Sequence, residues 1–293
     1  MSLFRSAFYS VSVPLIAAIS LFTTTVDAAS VWKVTSGDNS LYIGGTIHIL
    51  APEDYPLPSE YETAYKHAST LVFETDMAAV KSVEFQQKML GMMTYTDGRS
   101  LKDDLSQQSY QKLETHLAQR GMPIAQMAAM KPSLISITLS IIELQSLGFT
   151  SEGVDQFYSD KGTQAGKTIQ WLETPDEQLS FLANLGGDDN DALIEYTLRD
   201  IKKMPALIGD MRTSWREGDM QKMADISIVP FKQDYAQIYQ DLIVTRNANW
   251  MPHIEDMLKT SNVEFIMVGA MHLAGDDSVL KQLKAQGYSV EKL

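Results

Sequence analysis

The chain has 293 residues, 44% of them hydrophobic and 21% charged, with no cysteine and a formal net charge of −13. That hydrophobic share suits a globular protein with a sizeable core. The acidic balance argues against nucleic acid and anionic membrane surfaces as partners, because both require clustered Lys and Arg.

Residues 1–28 read as a secretory signal peptide. Arg5 charges the amino-terminal region, Val11–Phe22 is apolar and uncharged, and Val26-Asp27-Ala28 places small residues where a leader peptidase cuts. Cleavage is expected after Ala28. The apolar run is too short to span a bilayer comfortably, so no stable membrane insertion is expected after cleavage. Without cysteine there is no lipid attachment at the cleavage site, no disulfide, no thiolate nucleophile and no Cys-bound zinc. The expected location is periplasmic or secreted, and residues 29–293 are expected to form a single domain, since no Pro-, Gly- or Ser-rich linker divides them.

Val31–Thr35 and Asn39–Gly44 are expected strands joined through Ser36-Gly37-Asp38, a tight-turn signal. Pro52, Pro56 and Pro58 stiffen the loop that follows, and Ser59-x-x-Glu62 reads as a capping box opening a short helix. Thr70–Thr75 is the next strand, with Glu74 at its carboxyl end; Asp76 reads as a helix-N-terminal acid. Helices are expected from about Val80 to Gly91, over Ser106–Arg120 and over Leu134–Leu147. His67 and His116 are assigned surface or packing roles, and the methionines between 89 and 130 core and groove filling.

Ser151–Asp155 opens a helix carrying Phe157 and Tyr158; Asp155 is either a helix-N-terminal acid or a group that reaches a site. Thr168–Leu172 is a short strand followed by Glu173, and Thr174-Pro175-Asp176-Glu177 is a helix start. The acidic stretch Gly186–Asp191 lacks the spacing of a calcium loop and reads as helix-capping acids. Ala192–Asp225 is expected to give two or three amphipathic helices, and Asp234–Lys259 one long helix or two in series, with a kink at Pro252. A strand Glu264–Val268, a helix Asp276–Ala285 and a last strand Tyr288–Lys292 close the chain. The expected class is α/β: a small mixed sheet built from the N- and C-terminal strands, with a large helical insertion.

One arrangement occurs twice. Leu41–Leu50 runs from an apolar segment through Gly44-Gly45 to His48, and Phe265–Leu273 runs from an apolar segment through Gly269 to His272. With 17 Gly and 5 His, about 0.3 accidental Gly-x-x-His matches are expected in such a chain, so the spelling alone is a weak signal. The context is more selective, because residues at the carboxyl ends of strands in open α/β sheets face the ligand crevice. His48 and His272 are therefore expected to share a site, with Glu74 at a matching strand end.

Two imidazoles and a carboxylate form a divalent-metal donor set that leaves positions open for water and substrate, and this donor set suits Mn, Co, Fe or Zn without choosing among them. Arg246, on the helix leading into the second unit, is the candidate for holding a substrate carboxylate or a developing oxyanion.

The chain resembles the TraB/GumN (TraB/PrgY/GumN) family, related to the Tiki metalloproteases. The resemblance is carried, in order, by Gly45-Thr46-Ile47-His48, Phe73-Glu74-Thr75-Asp76, Gly153-Val154-Asp155 with Phe157, Leu172-Glu173-Thr174 with Glu177-Gln178, Arg246-Asn247 with Trp250, and Val268-Gly269-Ala270-Met271-His272-Leu273 with Gly275. It implies metal or catalytic roles for His48, Glu74 and His272, with Arg246 and Asp155 in support, in metal-dependent peptide cleavage. Met271 stands where Gly is common in the family, which lengthens the side chain beside the site. The expectation is an exported metal-dependent hydrolase acting on a peptide or small-molecule substrate. The alternative is a non-catalytic periplasmic protein that binds a peptide, a metal or haem.

Overall fold

The computed structural model describes residues 29–293, so the expected leader lies outside the described residues. Eight strands form: β1 (Val31–Ser36), β2 (Asn39–Thr46), β3 (Ile49–Leu50), β4 (Thr70–Phe73), β5 (Ser151–Glu152), β6 (Thr168–Trp171), β7 (Glu264–Gly269) and β8 (Ser289–Lys292). Six of them make one mixed sheet in the order β6-β4-β7-β2-β1-β8. β6, β4, β7 and β2 run parallel, while β1 pairs antiparallel with both β2 and β8. β2 and β7, far apart in sequence, are thus neighbours at the centre of the sheet, with Thr46 opposite Gly269.

The strand pleat explains how both faces are filled. Leu71, Phe73, Phe265 and Met267 pack into one cluster with Trp215, while Val72, Ile266 and Val268 alternate into a second with Trp250. Both clusters are apolar because helices cover the sheet on both sides, as parallel strands require.

The helices are α1 (Ser59–His67), α2 (Val83–Met93), α3 (Leu101–Asp104), α4 (Gln107–Gln119), α5 (Pro132–Ser146), α6 (Val154–Gln164), α7 (Pro175–Ala183), α8 (Asn190–Glu217), α9 (Met220–Met223), α10 (Val229–Asp234), α11 (Ala236–Tyr239), α12 (Arg246–Met257) and α13 (Val279–Ala285). Helices α3 to α5 and α8 enclose a third apolar cluster, including Leu113, Leu117, Ile135 and Ile194. This is the helical insertion, inserted in the chain between the strands of the sheet.

Local structure departs from expectation at a few points. Pro58, not Ser59, is the N-cap of α1, and the Ser59 hydroxyl turns to Glu60 instead of closing a capping box. Over Ala192–Asp225 the two or three expected helices are α8, which runs 28 residues unbroken through Pro205 and Gly209, and the short α9, which leads into a π-helical turn. Pro205 is exposed, and its missing N–H leaves the Ile201 carbonyl without its usual helical donor. A two-strand ribbon of β3 with β5 was not expected. The start at Thr174 does form its reciprocal cap with Glu177, and Asp189 caps α8 through Ala192 N–H.

Candidate functional site

Because β2, β4, β6 and β7 are parallel, their carboxyl ends share one edge of the sheet. His48, Glu74, Glu173 and His272 all follow those ends. The edge is built with little slack. A Cβ on Gly44 would stand 2.8 Å from the Phe265 ring. Gly45 O accepts from the buried Trp215 Nε1 at 2.8 Å and from the Tyr61 hydroxyl. These contacts tie α8 and α1 to the strand just before His48.

His48 is held from the other side by α6. Val154 N–H donates to Ile47 O at 3.1 Å, and the β3–β5 ribbon brings Gly153 against the His48 backbone. His48 Nδ1 lies 3.1 Å from Asp155 Oδ1, which leaves Nε2 facing the site. The His48 side chain is 63% exposed and that of Asp155 only 10%. Asp155 raises the His48 imidazole above its ordinary value, an effect that water moderates at so open a ring. The same Nδ1–H···Asp155 bond serves the neutral ring, so Nε2 can lose its proton without disturbing the pair.

Glu74 is buried. Its Oε1 accepts Gly269 N–H at 2.6 Å and its Oε2 accepts Arg246 Nη2–H at 2.6 Å. Burial pushes the carboxyl up, but Arg246 and the Gly269 amide outweigh it and hold Glu74 well below the usual carboxylate range. Arg246 also forks onto Glu173, Nε to Oε2 at 3.1 Å and Nη2 to Oε1 at 2.5 Å. Glu173 further accepts Trp250 Nε1–H at 3.1 Å and Gln178 Nε2–H at 3.2 Å. Burial pushes its carboxyl up, against the pull of the guanidinium. The Arg246 guanidinium lies 4.8 Å from the centre of the Trp250 ring, which its place one helical turn away allows. Arg246 opens α12 directly after a π-helical stretch, Gln240–Thr245, a distortion that often accompanies functional sites.

His272 is buried, its Nδ1 2.6 Å from Asn247 Oδ1 and its Nε2 3.2 Å from Arg246 Nη1. Burial, with Arg246 and His48, pushes this imidazole down to about 3. It is therefore neutral, the form that ligates a metal.

The position of a Cβ on Gly269 locates where these groups meet. That point is 3.3 Å from Glu74 Oε1, 3.6 Å from His272 Cδ2 and 3.8 Å from His48 Nε2. A side chain there would fill the space between two imidazoles and a carboxylate. The donor types and their outer partners fit a divalent ion: Asp155 behind one histidine, Asn247 behind the other. Arg246 meanwhile occupies Glu74 Oε2 and His272 Nε2, and among the described residues no three His, Cys, Asp or Glu side chains are gathered closely enough to enclose an ion as they stand.

All five residues expected at the site meet on this edge. Glu173 and Asn247, which were given no role, belong to it as well. The other three histidines lie elsewhere: His116 bonds Arg120, His67 bonds Thr63 O beside Tyr42, and His253 is exposed on α12 in a separate surface depression.

A cavity of about 490 Å³ opens beside the edge. Thr46, Thr75, Met77, Val80, Leu182 and Met267 line it together with His48, Glu74, Asp155 and Arg246. Among the described residues no helix is long and apolar enough to cross a membrane.

The family model of the TraB/PrgY/gumN family matches residues 30–292. The chain is 24% identical over 250 residues to the uncharacterized protein YbaP of Escherichia coli (strain K12), a match covering 85% of this chain and 89% of that protein. It is similar to the same degree to YbaP of Shigella flexneri, with 24% identity over 250 residues and the same shares of both chains. No solved structure matches it. A match over nearly all the described residues assigns the chain: it belongs to the TraB/PrgY/gumN family.

Proposed function

We propose that this chain is an exported metal-dependent hydrolase that cleaves peptides. The observation that carries the reading is the convergence of His48 Nε2, Glu74 Oε1 and the His272 ring on the space left by Gly269. His48 and His272 would hold the ion through Nε2 and Glu74 through Oε1, and Mn, Co, Fe or Zn all suit such donors. A bound divalent ion lowers the pKa of a water and polarises a carbonyl.

The remaining groups have separate work. Asp155 and Asn247 fix the orientation of the two rings. Arg246 keeps three N–H bonds to Glu173 and Glu74; its fourth, to His272 Nε2, would give way to an ion there, freeing both Nη1–H donors to meet negative charge that develops in the cavity. The Met77, Val80, Leu182 and Met267 lining suits an apolar side chain beside the reacting amide. Charge supports a cation too. Glu74, Glu173 and Asp155 bring carboxylates to one edge where Arg246 is the paired guanidinium and His272 is neutral.

The test is metal analysis of purified residues 29–293, followed by a quenched-fluorescent peptide library with Mn²⁺ or Co²⁺ and with chelator. Cleavage that requires the ion and that disappears in Glu74→Gln is the expected result. Failure to bind any of these ions, with no cleavage on addition, overturns the reading. The guanidinium already on Glu74 and His272 favours one second reading, a non-catalytic binding protein that takes a peptide, a metal or haem. Ligand retention without turnover would select it.

A further inference from the structure

Building on the metal reading, we propose that Glu173 is a positioning residue that holds the Arg246 fork off Glu74 Oε1, the oxygen turned toward the ion's space. The two carboxylates are neighbours across β4 and β6, and Glu173 N–H donates to Glu74 O at 2.9 Å. Arg246 stands between them. A guanidinium prefers to meet a carboxylate through a fork of two parallel N–H bonds. Here the fork made by Nε and Nη2 falls on Glu173. Glu74 receives one N–H only, on Oε2. Its Oε1 keeps the Gly269 amide and turns to the space that His48 and His272 also face.

Glu173 is equipped to win that competition. Trp250 Nε1 and Gln178 Nε2 hold its two oxygens in place, and the Trp250 ring carries the guanidinium. Take away the Glu173 charge and the fork has one anionic partner left, Glu74. Both Glu74 oxygens would then be engaged by a cation, which is where a metal ion would bind. The role is thus to choose which carboxylate Arg246 neutralises.

The experiment is Co²⁺ titration of residues 29–293, read by calorimetry and by the visible absorption of bound Co²⁺, for the native protein, Glu173→Gln, Arg246→Gln and the double variant. The expected result is at least a tenfold weaker Co²⁺ affinity in Glu173→Gln and native or tighter affinity in the double variant, where no guanidinium remains to invade. Arg246→Gln alone should bind Co²⁺ more tightly than the native protein, and it decides the matter if Glu173→Gln does not fold. Native affinity in Glu173→Gln, a double variant as weak as that single one, or weakened binding in Arg246→Gln overturns the role of Glu173 while leaving the metal reading in place. A native protein that binds no Co²⁺ overturns both.

Discussion

Asn247 sets the tautomer of His272. Its Nδ2 donates to the backbone carbonyls of Asp277 at 2.9 Å and His272 at 3.4 Å, so its Oδ1 must be the acceptor facing His272 Nδ1. Nδ1 therefore carries the hydrogen, and the Nε2 lone pair points to Arg246 and the Glu74 side of the site. Asn247→Leu leaves an imidazole N–H and buried carbonyls without partners. It should cost about 2–4 kcal/mol of stability, since each buried orphan costs about 1–3 kcal/mol. Urea unfolding followed by circular dichroism measures this, and a loss below 0.5 kcal/mol would mean the ring is held by something else.

Two glycines separate building the site from leaving it open. Gly269 has φ −50 and ψ 135, which alanine adopts freely. Gly269→Ala should therefore fold with a melting temperature close to native, yet lose at least tenfold in divalent-ion affinity, because its methyl stands in the space the donors share. At Gly153 the backbone is also ordinary, φ −79 and ψ 174, but a Cβ would lie 2.4 Å from the His48 carbonyl. Backbone cannot step aside as a side-chain tip can. Gly153→Ala should lower stability by roughly 1–3 kcal/mol or more, the scale of overpacking. Thermal melts with Co²⁺ titrations of both variants check the pair, and an ion affinity unchanged in Gly269→Ala would show that the donors meet elsewhere.

Much of this edge was legible in the sequence. His48, Glu74 and His272 follow apolar runs of strand length, and strand ends in an α/β sheet point to one crevice. Arg246 and Trp250 sit one turn apart, so their contact is a matter of helix geometry. What stayed hidden depends on pairings at long range. Glu173 was visible as a carboxylate between a strand and a helix, but nothing local says that its partner lies at position 246. Asn247 could have been found only by asking which polar group faces His272 once the helix is in place. Pro205 and Gly209 do not interrupt α8, because tertiary packing of Leu198, Ile201 and Trp215 holds the helix on either side.

His116 gives the helical insertion a dependence on pH. It is buried on α4, with Arg120 Nη1 2.8 Å from its Nε2. Burial first, then Arg120, depresses its folded pKa below the ordinary 6.5. The unfolded chain therefore binds the proton more readily, and stability rises with pH. This contribution is fully favourable above the unfolded value of 6.5 and declines as pH falls below it. His116→Gln keeps an acceptor for Arg120 and removes the titration. Stability measured in urea at pH 7.5 and pH 5 should fall less in the variant than in the native protein. An equal fall would assign the acid sensitivity to other groups.

Thr46 and Thr75 bear on what enters the cavity. Both are 3% exposed, both line the cavity beside Glu74, and neither hydroxyl has a hydrogen-bond partner among the described residues. A buried hydroxyl without a partner is a cost to folding, on the order of 1–3 kcal/mol from substitutions in other proteins. Valine has the same shape without the oxygen. Thr46→Val and Thr75→Val should therefore melt at or above the native temperature. If the hydroxyls face substrate, the same variants should lose several-fold in kcat/KM on any peptide that the metal-loaded protein cleaves. Stability and turnover then move in opposite directions, a pattern that a structural hydroxyl would not produce. A drop of several degrees in melting temperature in both variants would show instead that the two oxygens are satisfied within the fold and have no part in binding.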